Sequence, residues 1–376
     1  HFFQPRLQRI DRLLADGFHA DSRIELPGWG STDMVCCDFN DDGLPDLAFA
    51  NASELSPWLD PGAYLYYHAG SGYPGLPLAL PTVRAHGVVC GDLNHNGYLD
   101  LIFGGFDNPV IKIFYGSANG FSEENSQEIV MEYQGRKCKE PRFLALADLN
   151  GDGWLDLVIP MISEEESFVL WGGPDGFSFD RKQVFKVRHA CNAKVADLNN
   201  DGYPELIFGG HTQSFTAPHD AFVYIYWGSP EGFREERRTL LPCNAVNSMA
   251  VADFNNDGLL DLFVGSYEDG RQRDIDSYIY WNQPGEGFLP HKRQLLRTHA
   301  VSGNMAADFN GDGWIDLAVA NHKVEGNHIA YSTVWYNGPD GFDEKRTVNL
   351  PTSGPHGMGN VDPGNIMDRS PNEYYI

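Results

Sequence analysis

Hydrophobic and polar positions alternate along this chain in short runs, not at a helical period. Leu144-Ala145-Leu146-Ala147, Asp156-Leu157-Val158-Ile159 and Phe222-Val223-Tyr224-Ile225-Tyr226-Trp227 are of strand length and bounded by Gly, Pro, Asp and Asn. Proline and glycine punctuate turns throughout, and no linker or second domain stands out. No run approaches 18 consecutive apolar residues, so no helix crosses a membrane. The pattern predicts an all-β chain.

The turns between these strands carry a repeat. Asp-x-Asn-x-(Asp/Asn)-Gly-x-x-(Asp/Glu)-Leu occurs six times, beginning at Asp38, Asp92, Asp148, Asp197, Asp253 and Asp308. One further period falls on Asp362, in Asp362-Pro363-Gly364-Asn365, a degenerate seventh copy in register. A second marker, Gly-Phe, recurs at Gly120-Phe121, Gly176-Phe177, Gly232-Phe233, Gly287-Phe288 and Gly341-Phe342. The last four of these Phe residues lie 20 positions before the next first Asp, and Phe18 lies 20 before Asp38. The N-terminus therefore supplies the end of a repeat that begins near residue 362. Each period reads as an inner strand, an acidic turn, a second strand, a loop, an aromatic strand, Gly-Phe and an outer strand. Seven such periods predict a single seven-bladed β-propeller over 1–376, its last blade closed by strands from both termini.

Hard oxygen donors at alternate positions of a turn suit Ca²⁺, with Gly at the sharp bend. Positions 1, 3, 5 and 9 are Asp38, Asn40, Asp42 and Asp46; Asp92, Asn94, Asn96 and Asp100; and Asp148, Asn150, Asp152 and Asp156. The later copies supply Asp197, Asn199, Asp201 and Glu205; Asp253, Asn255, Asp257 and Asp261; and Asp308, Asn310, Asp312 and Asp316. A backbone carbonyl is expected at position 7. The loop closes at position 9 between strands, so it is not an EF-hand. The alternative is a plain acidic hairpin turn, with Asp and Asn serving turn chemistry. Up to six structural Ca²⁺ are expected; Asn96 and Glu205 should alter the second and fourth sites, and the seventh should be empty.

Charge narrows the partners. Lys+Arg number 27 against Asp+Glu 52, a formal charge of −25, which disfavours nucleic acid. Six Cys without a CxxC pair suggest neither a disulfide scaffold nor a zinc site. The chain opens at His1 without a signal peptide and reads as a mature or trimmed form; the sequon Asn51-Ala52-Ser53 is a weak sign of secretion.

Asp148-Leu-Asn-Gly-Asp-Gly-Trp-Leu-Asp-Leu157 and Asp308-Phe-Asn-Gly-Asp-Gly-Trp-Ile-Asp-Leu317 resemble FG-GAP/VCBS repeats, the calcium-loop units of integrin α-subunit propellers and of many secreted bacterial proteins. The resemblance covers essentially the whole chain. It implies the propeller, structural calcium and an extracellular or periplasmic setting. Function stays open, because such propellers serve adhesion, scaffolding and carbohydrate chemistry alike.

In that family the calcium turns share one face, so a site is expected on the other. Six residues before each first Asp the sequence reads Thr32, His86, Arg142, Cys191, Asn247, Ser302 and His356, with Asn304 two positions further in. These side chains are expected to converge on an axial funnel; solvated strand ends are the plainer alternative. Loops after the second strands add Phe106-Asp107-Asn108, His211 with His219, Tyr267 with Arg271 and Arg273, and His322-Lys323. A basic, aromatic mouth would favour an anionic ligand. Trp29 and Trp58 could stack on sugars, whereas Trp171, Trp227, Trp281 and Trp335 read as blade core.

The first expectation is a polysaccharide lyase acting on uronic-acid-containing polysaccharide, since several propeller-fold lyase families are known. Arg142 and Asn247 would neutralise the carboxylate, His86 or His356 would take the proton, and the other His or Tyr267 would protonate the leaving oxygen. A glycoside hydrolase would need two carboxylates, of which Asp33 is on the inner rim and Asp107, Glu164, Glu165, Glu166 and Glu268 are on loops. The rival class is a non-catalytic module binding glycan or protein through the same face, with Asn304, His211, Arg271, His322 and Trp58 as contacts. A calcium-stabilised subunit of a larger assembly is the third reading.

Overall fold

A computed structural model describes residues 24–52, 60–211 and 221–355. Among them, six four-stranded antiparallel sheets follow one another in chain order, each a blade with its strands in sequence order. Blade 4 is representative, with strands Ala190–Ala196, Glu205–Gly210, Ala221–Tyr226 and Arg238–Cys243. The inner strands are Ser31–Cys37, Ala85–Gly91, Ala145–Ala147, Ala190–Ala196, Ala245–Ala252 and Val301–Ala307. Seven blades were expected and six are seen. The strands assigned to the seventh come from both ends of the chain, and Phe18, His356 and Asp362 lie outside the described residues, as do Trp58 and His219.

The hydrophobic core runs between blades. Each of five large clusters joins two neighbours: Val35, Leu65 and Phe103 tie blade 1 to blade 2, and Phe254, Leu296 and Trp335 tie blade 5 to blade 6. The Gly-Phe marker belongs to these seams. Its glycines sit at φ from 66° to 78°, where a side chain is disfavoured, and its Phe rings are buried. Gln127, Gln183 and Gln294 donate side-chain hydrogen bonds to the carbonyls of Phe177, Phe233 and Phe342 in the following blade, at 2.9–3.2 Å. The tryptophan series needs one correction. Trp171 and Trp227 donate their backbone N–H to a carbonyl ten residues on, and Tyr336, not Trp335, does the same in blade 6. Trp335 faces the other way and is buried.

The ninth residue of every acidic turn holds its blade together. Asp46, Asp100, Asp156, Glu205, Asp261 and Asp316 are all fully buried. One oxygen accepts the N–H of the turn's second residue, as from Leu149 to Asp156 at 2.9 Å. The other accepts an N–H near the end of the third strand, as from Gly172 to Asp156 at 2.7 Å. The same two bonds recur in the other five blades. Burial pushes Asp100, Asp156, Glu205 and Asp261 up to about 7, against the lowering effect of these N–H donors.

A hairpin absent from the repeat pattern, Glu132–Tyr133 with Arg136–Lys137, sits between blades 2 and 3. Gln134 and Gly135 make its turn, both with positive φ.

Asp156→Ala should cost about 3 kcal/mol or more in urea unfolding under chelator, because two buried N–H groups lose a charged acceptor. Asp152→Ala, on the exposed rim of the same turn, should cost about 1 kcal/mol or less under those conditions. Equal losses would show that the ninth carboxylate is no clamp.

Candidate functional site

Acidic turns join the first and second strands, so strand entrances and second-strand exits lie together at the opposite end of the blades. There the inner strands share a defect. Pairing with the second strand slips between Ser31 and Asp33, Ala85 and Gly87, Ala190 and Asn192, Val246 and Ser248, and Val301 and Gly303. The residue at each slip is a β-bulge: Thr32, His86, Cys191, Asn247 and Ser302. Arg142 occupies the same repeat position in blade 3, where its N–H bonds to the Pro160 carbonyl. The residues expected to line a funnel are thus the bulges, and most turn toward the adjoining blade. Thr32 donates to the His86 carbonyl at 3.0 Å, the Cys191 thiol to Asn247 Oδ1 at 3.2 Å, and Ser302 to the Pro355 carbonyl at 2.6 Å. All five are buried, Cys191 completely and His86 to within 1%. Burial pushes the Cys191 thiol up to about 11, so it is no ready nucleophile. Asn304 is also buried, and its amide meets the Ser248 hydroxyl.

Arg142, at this position in blade 3, is the one that keeps part of its side chain exposed. Its segment packs on two glycines: a Cβ at Gly87 would sit 2.3 Å from the Arg142 carbonyl oxygen, and one at Gly104 would sit 2.6 Å from that of Pro141. This approach stacks a group of side chains between blades 2 and 3. The Arg84 guanidinium lies 4.3 Å from the Phe106 ring centroid and that of Arg142 lies 5.3 Å from it. His86 stacks on Phe106 at 5.9 Å and meets the edge of Phe143 at 5.3 Å. Both arginines keep only 14–15% of their side-chain surface exposed. Among the described residues, the acids Asp107 and Glu140 stand 4.0 Å and 3.7 Å from them, beyond hydrogen-bond length, and neither Nε has a hydrogen-bond partner. Arg84 was not among the expected site residues. It lies two positions before a bulge, in the left-handed region at φ 47°, and only the folded turn aims it.

A second group spans blades 4 to 6. His211, Tyr267, His322 and His328 follow one another with ring centroids 6.1, 5.9 and 4.6 Å apart. Arg273 lies 4.7 Å from the Tyr267 ring and donates an N–H to its oxygen at 3.2 Å. The structure therefore brings His211, Tyr267 and His322 together. Arg271 instead sits on an exposed turn whose backbone N–H bonds to Asp269. The mouth is not basic overall, because acids interleave with its cations. Lys139 pairs with Asp107 at 2.8 Å, Arg136 with Glu164, and Arg188 with Glu165 at 3.5 Å. Arg273 lies 3.5 Å from Glu268, and His299 lies 2.5 Å from Asp274. At the inner strands Asp33 is pushed up to about 7 by burial, opposed by the Val88 and Met34 N–H groups and by the charge of Lys194. Trp29 is 40% exposed.

The acidic turns gather oxygen donors. In each, the first Asp accepts the N–H groups of the fifth and sixth residues, as Asp148 does from Asp152 and Gly153 at 3.2 and 2.8 Å. In five turns the third and fifth side chains converge at 3.0–3.1 Å. In the second turn the Asn96 amide turns away to the Gly116 carbonyl. Among the described residues no three His, Cys, Asp or Glu form a cluster fit for a metal. The rim donors are two carboxylates and an Asn amide in five turns, and one carboxylate with two Asn amides in the second, with the ninth carboxylate behind them on its clamp bonds. This oxygen set fits a hard cation and not zinc.

The profile of the FG-GAP-like repeat matches residues 38–103, 148–208, 197–264 and 253–319. Similar curated proteins include cartilage acidic protein 1 of Xenopus tropicalis, 24% identical over 147 residues, which are 36% of this chain and 21% of that protein. Human phosphatidylinositol-glycan-specific phospholipase D is 28% identical over 180 residues, 41% of this chain and 21% of that protein. Integrin alpha-4 of Xenopus laevis is 25% identical over 170 residues, 38% and 16% respectively. The matches thus span about a fifth or less of these relatives. Among solved structures, a Lactobacillus plantarum protein superposes with a TM-score of 0.56 at 10% identity, covering 89% of each chain. An Agrocybe aegerita lectin, solved for its recognition of non-reducing terminal N-acetylglucosamine, superposes at 0.52 and 17% identity, covering 86% of this chain and 81% of its own. Both likenesses are of fold. With the repeat profile spanning all six acidic turns and more than half of the chain, and a blade built around each turn, this chain belongs to the FG-GAP-like repeat family of β-propellers.

Proposed function

We propose that the chain is an extracellular or periplasmic binding module for carboxylate-bearing glycans, held at the face away from the acidic turns. The observation that carries this reading is the pair of guanidiniums on Phe106. Two nearly buried cations share one aromatic platform, keep their own acids beyond hydrogen-bond length and hold unused Nε donors. A uronate carboxylate accepts N–H donors in the plane of a guanidinium, and the face of a sugar ring covers an aromatic surface. The mixed charge around the pair favours a ligand with hydroxyls as well as carboxylates.

Oligogalacturonate should bind in titration calorimetry, and neutral oligosaccharides should not. Arg84→Ala and Arg142→Ala should each weaken binding about tenfold or more, the loss of one charge-assisted contact. Binding left intact in both variants would remove the site.

One observation favours β-elimination as a second reading. Tyr267 has His211 and His322 on either side and receives an N–H from Arg273. In that reaction the cation neutralises the uronate, a base removes the proton beside it, the adjacent C–O bond breaks and an acid protonates the departing oxygen. Ultraviolet absorbance of unsaturated uronate, abolished by Tyr267→Phe with binding retained, is the expected signature. Absence of signal on every acidic polysaccharide leaves the binding module alone.

The acidic turns are proposed as up to six structural Ca²⁺ sites, with the second weakened by Asn96. Calcium sites on exposed turns suit an extracellular setting, where the ion is abundant. We also infer a seventh blade. Gly354, eight residues before Asp362, has φ +53°, as Arg84 and His189 have positive φ eight residues before Asp92 and Asp197. The Ser302 bond to the Pro355 carbonyl repeats the Thr32 bond to the Ala85 carbonyl at the same separation of 53 residues. Both features continue the repeat to the last described residues and support the seventh blade.

Chelation should lower the melting temperature by several degrees, because an ion bound only by the folded state stabilises it, and Ca²⁺ should restore it. An unchanged melt would contradict structural calcium.

A further inference from the structure

At each seam between described blades, the residue one before the first Asp of one turn and the residue two before the first Asp of the next pack into the same core. A Cβ at Gly91 would lie 2.7 Å from a Leu146 methyl. Ala147 and Val195 share the cluster between blades 3 and 4, and Ala196 and Val251 the one between blades 4 and 5. Ala252 and Ala306 pack against the shared core of the next seam. These pairs match a small residue to an equal or larger apolar one. Between blades 1 and 2 the same two positions are Cys37 and Cys90, with their sulfurs 2.9 Å apart.

We propose that Cys37 and Cys90 form a disulfide that staples blade 1 to blade 2. Their sulfurs are too close for unbonded atoms at rest and less than about 1 Å from the length of a disulfide bond. The repeat favours their approach, since the same two positions touch between blades 2 and 3 and share a core at the later seams. Cys36 is excluded as the partner because neighbouring residues of a strand face opposite sides of the sheet. It pairs in register with Leu47, and Cys37 with Asp46. The bond would anchor both strand ends just ahead of the acidic turns at Asp38 and Asp92.

The oxidant is a small-molecule disulfide such as oxidised glutathione. The Cys37 thiolate, on the more accessible side of the pair, attacks one glutathione sulfur and expels a glutathione thiolate. The Cys90 thiolate then attacks the Cys37 sulfur of this mixed disulfide, forming the Cys37–Cys90 bond and expelling the second glutathione. Both cysteine protons end on the two reduced glutathiones.

The full chain should be equilibrated with oxidised glutathione, its free thiols alkylated, and unreduced peptides mapped by mass spectrometry. Free thiols should fall from six to four, the chain should lose about 2 Da, and one linked peptide should contain Cys37 and Cys90. Reduction should then lower the melting temperature by about 5 °C. The double variant Cys37→Ala with Cys90→Val, which installs the pair used at two other seams, should fold and show no redox-dependent melt. Six alkylated cysteines, a link through any other cysteine, or a wild-type melt indifferent to reduction would overturn the proposal.

Discussion

A buried carboxylate with two backbone N–H donors is the constraint on which each blade depends. It closes the acidic turn from within and ties that turn to the third strand, so three of four strands meet at one side chain. Fully buried Asp or Glu is costly unless its oxygens are satisfied, and all six are. The rest of the turn is free to serve another purpose. Its rim carboxylates and Asn amides point outward, while the ninth residue has a structural role whether or not an ion is present.

Blades built in this way still have to be joined, and the sequence solves that at the seams. Apolar side chains from consecutive blades form shared cores, Gly-Phe turns accept side-chain amides from the blade before, and bulged residues bond across the inner edge. Each blade is therefore half of two cores, as in other repeat architectures where stability resides at interfaces between neighbours. The first seam is chemically distinct because its matched pair is two thiols.

The repeat made most of the fold legible, because acidic turns and Gly-Phe turns both rest on local backbone chemistry that the sequence displays directly. The second strand Asp156–Ile159 lies where the alternation put it. Other features depend on tertiary geometry. A bulge has no compositional mark, so His86 and Asn247 sat at the right repeat position but were assigned to an open funnel instead of an inter-blade bond. Arg84 falls outside that ring by two residues and is brought to Phe106 only by its left-handed turn. The opposing acids of the mouth lie on unrelated loops, so the pairing of Arg136 with Glu164 across 28 residues could not be read from counts of cations. Tyr336, not Trp335, holds the register of Trp171 and Trp227, because Trp335 lies one position earlier and so on the opposite face of its strand.

The central claim is that ligand binds at the bulged ends of the blades, at Arg84, Phe106 and Arg142, and not at the acidic turns. Hydrogen exchange with and without oligogalacturonate, in saturating Ca²⁺, tests it most directly. The account predicts slowed exchange in residues 82–88, 104–108 and 139–144, with the acidic turns unchanged. Protection confined to the turns beginning at Asp38, Asp92 and Asp148 would contradict it and move the binding surface to the opposite face.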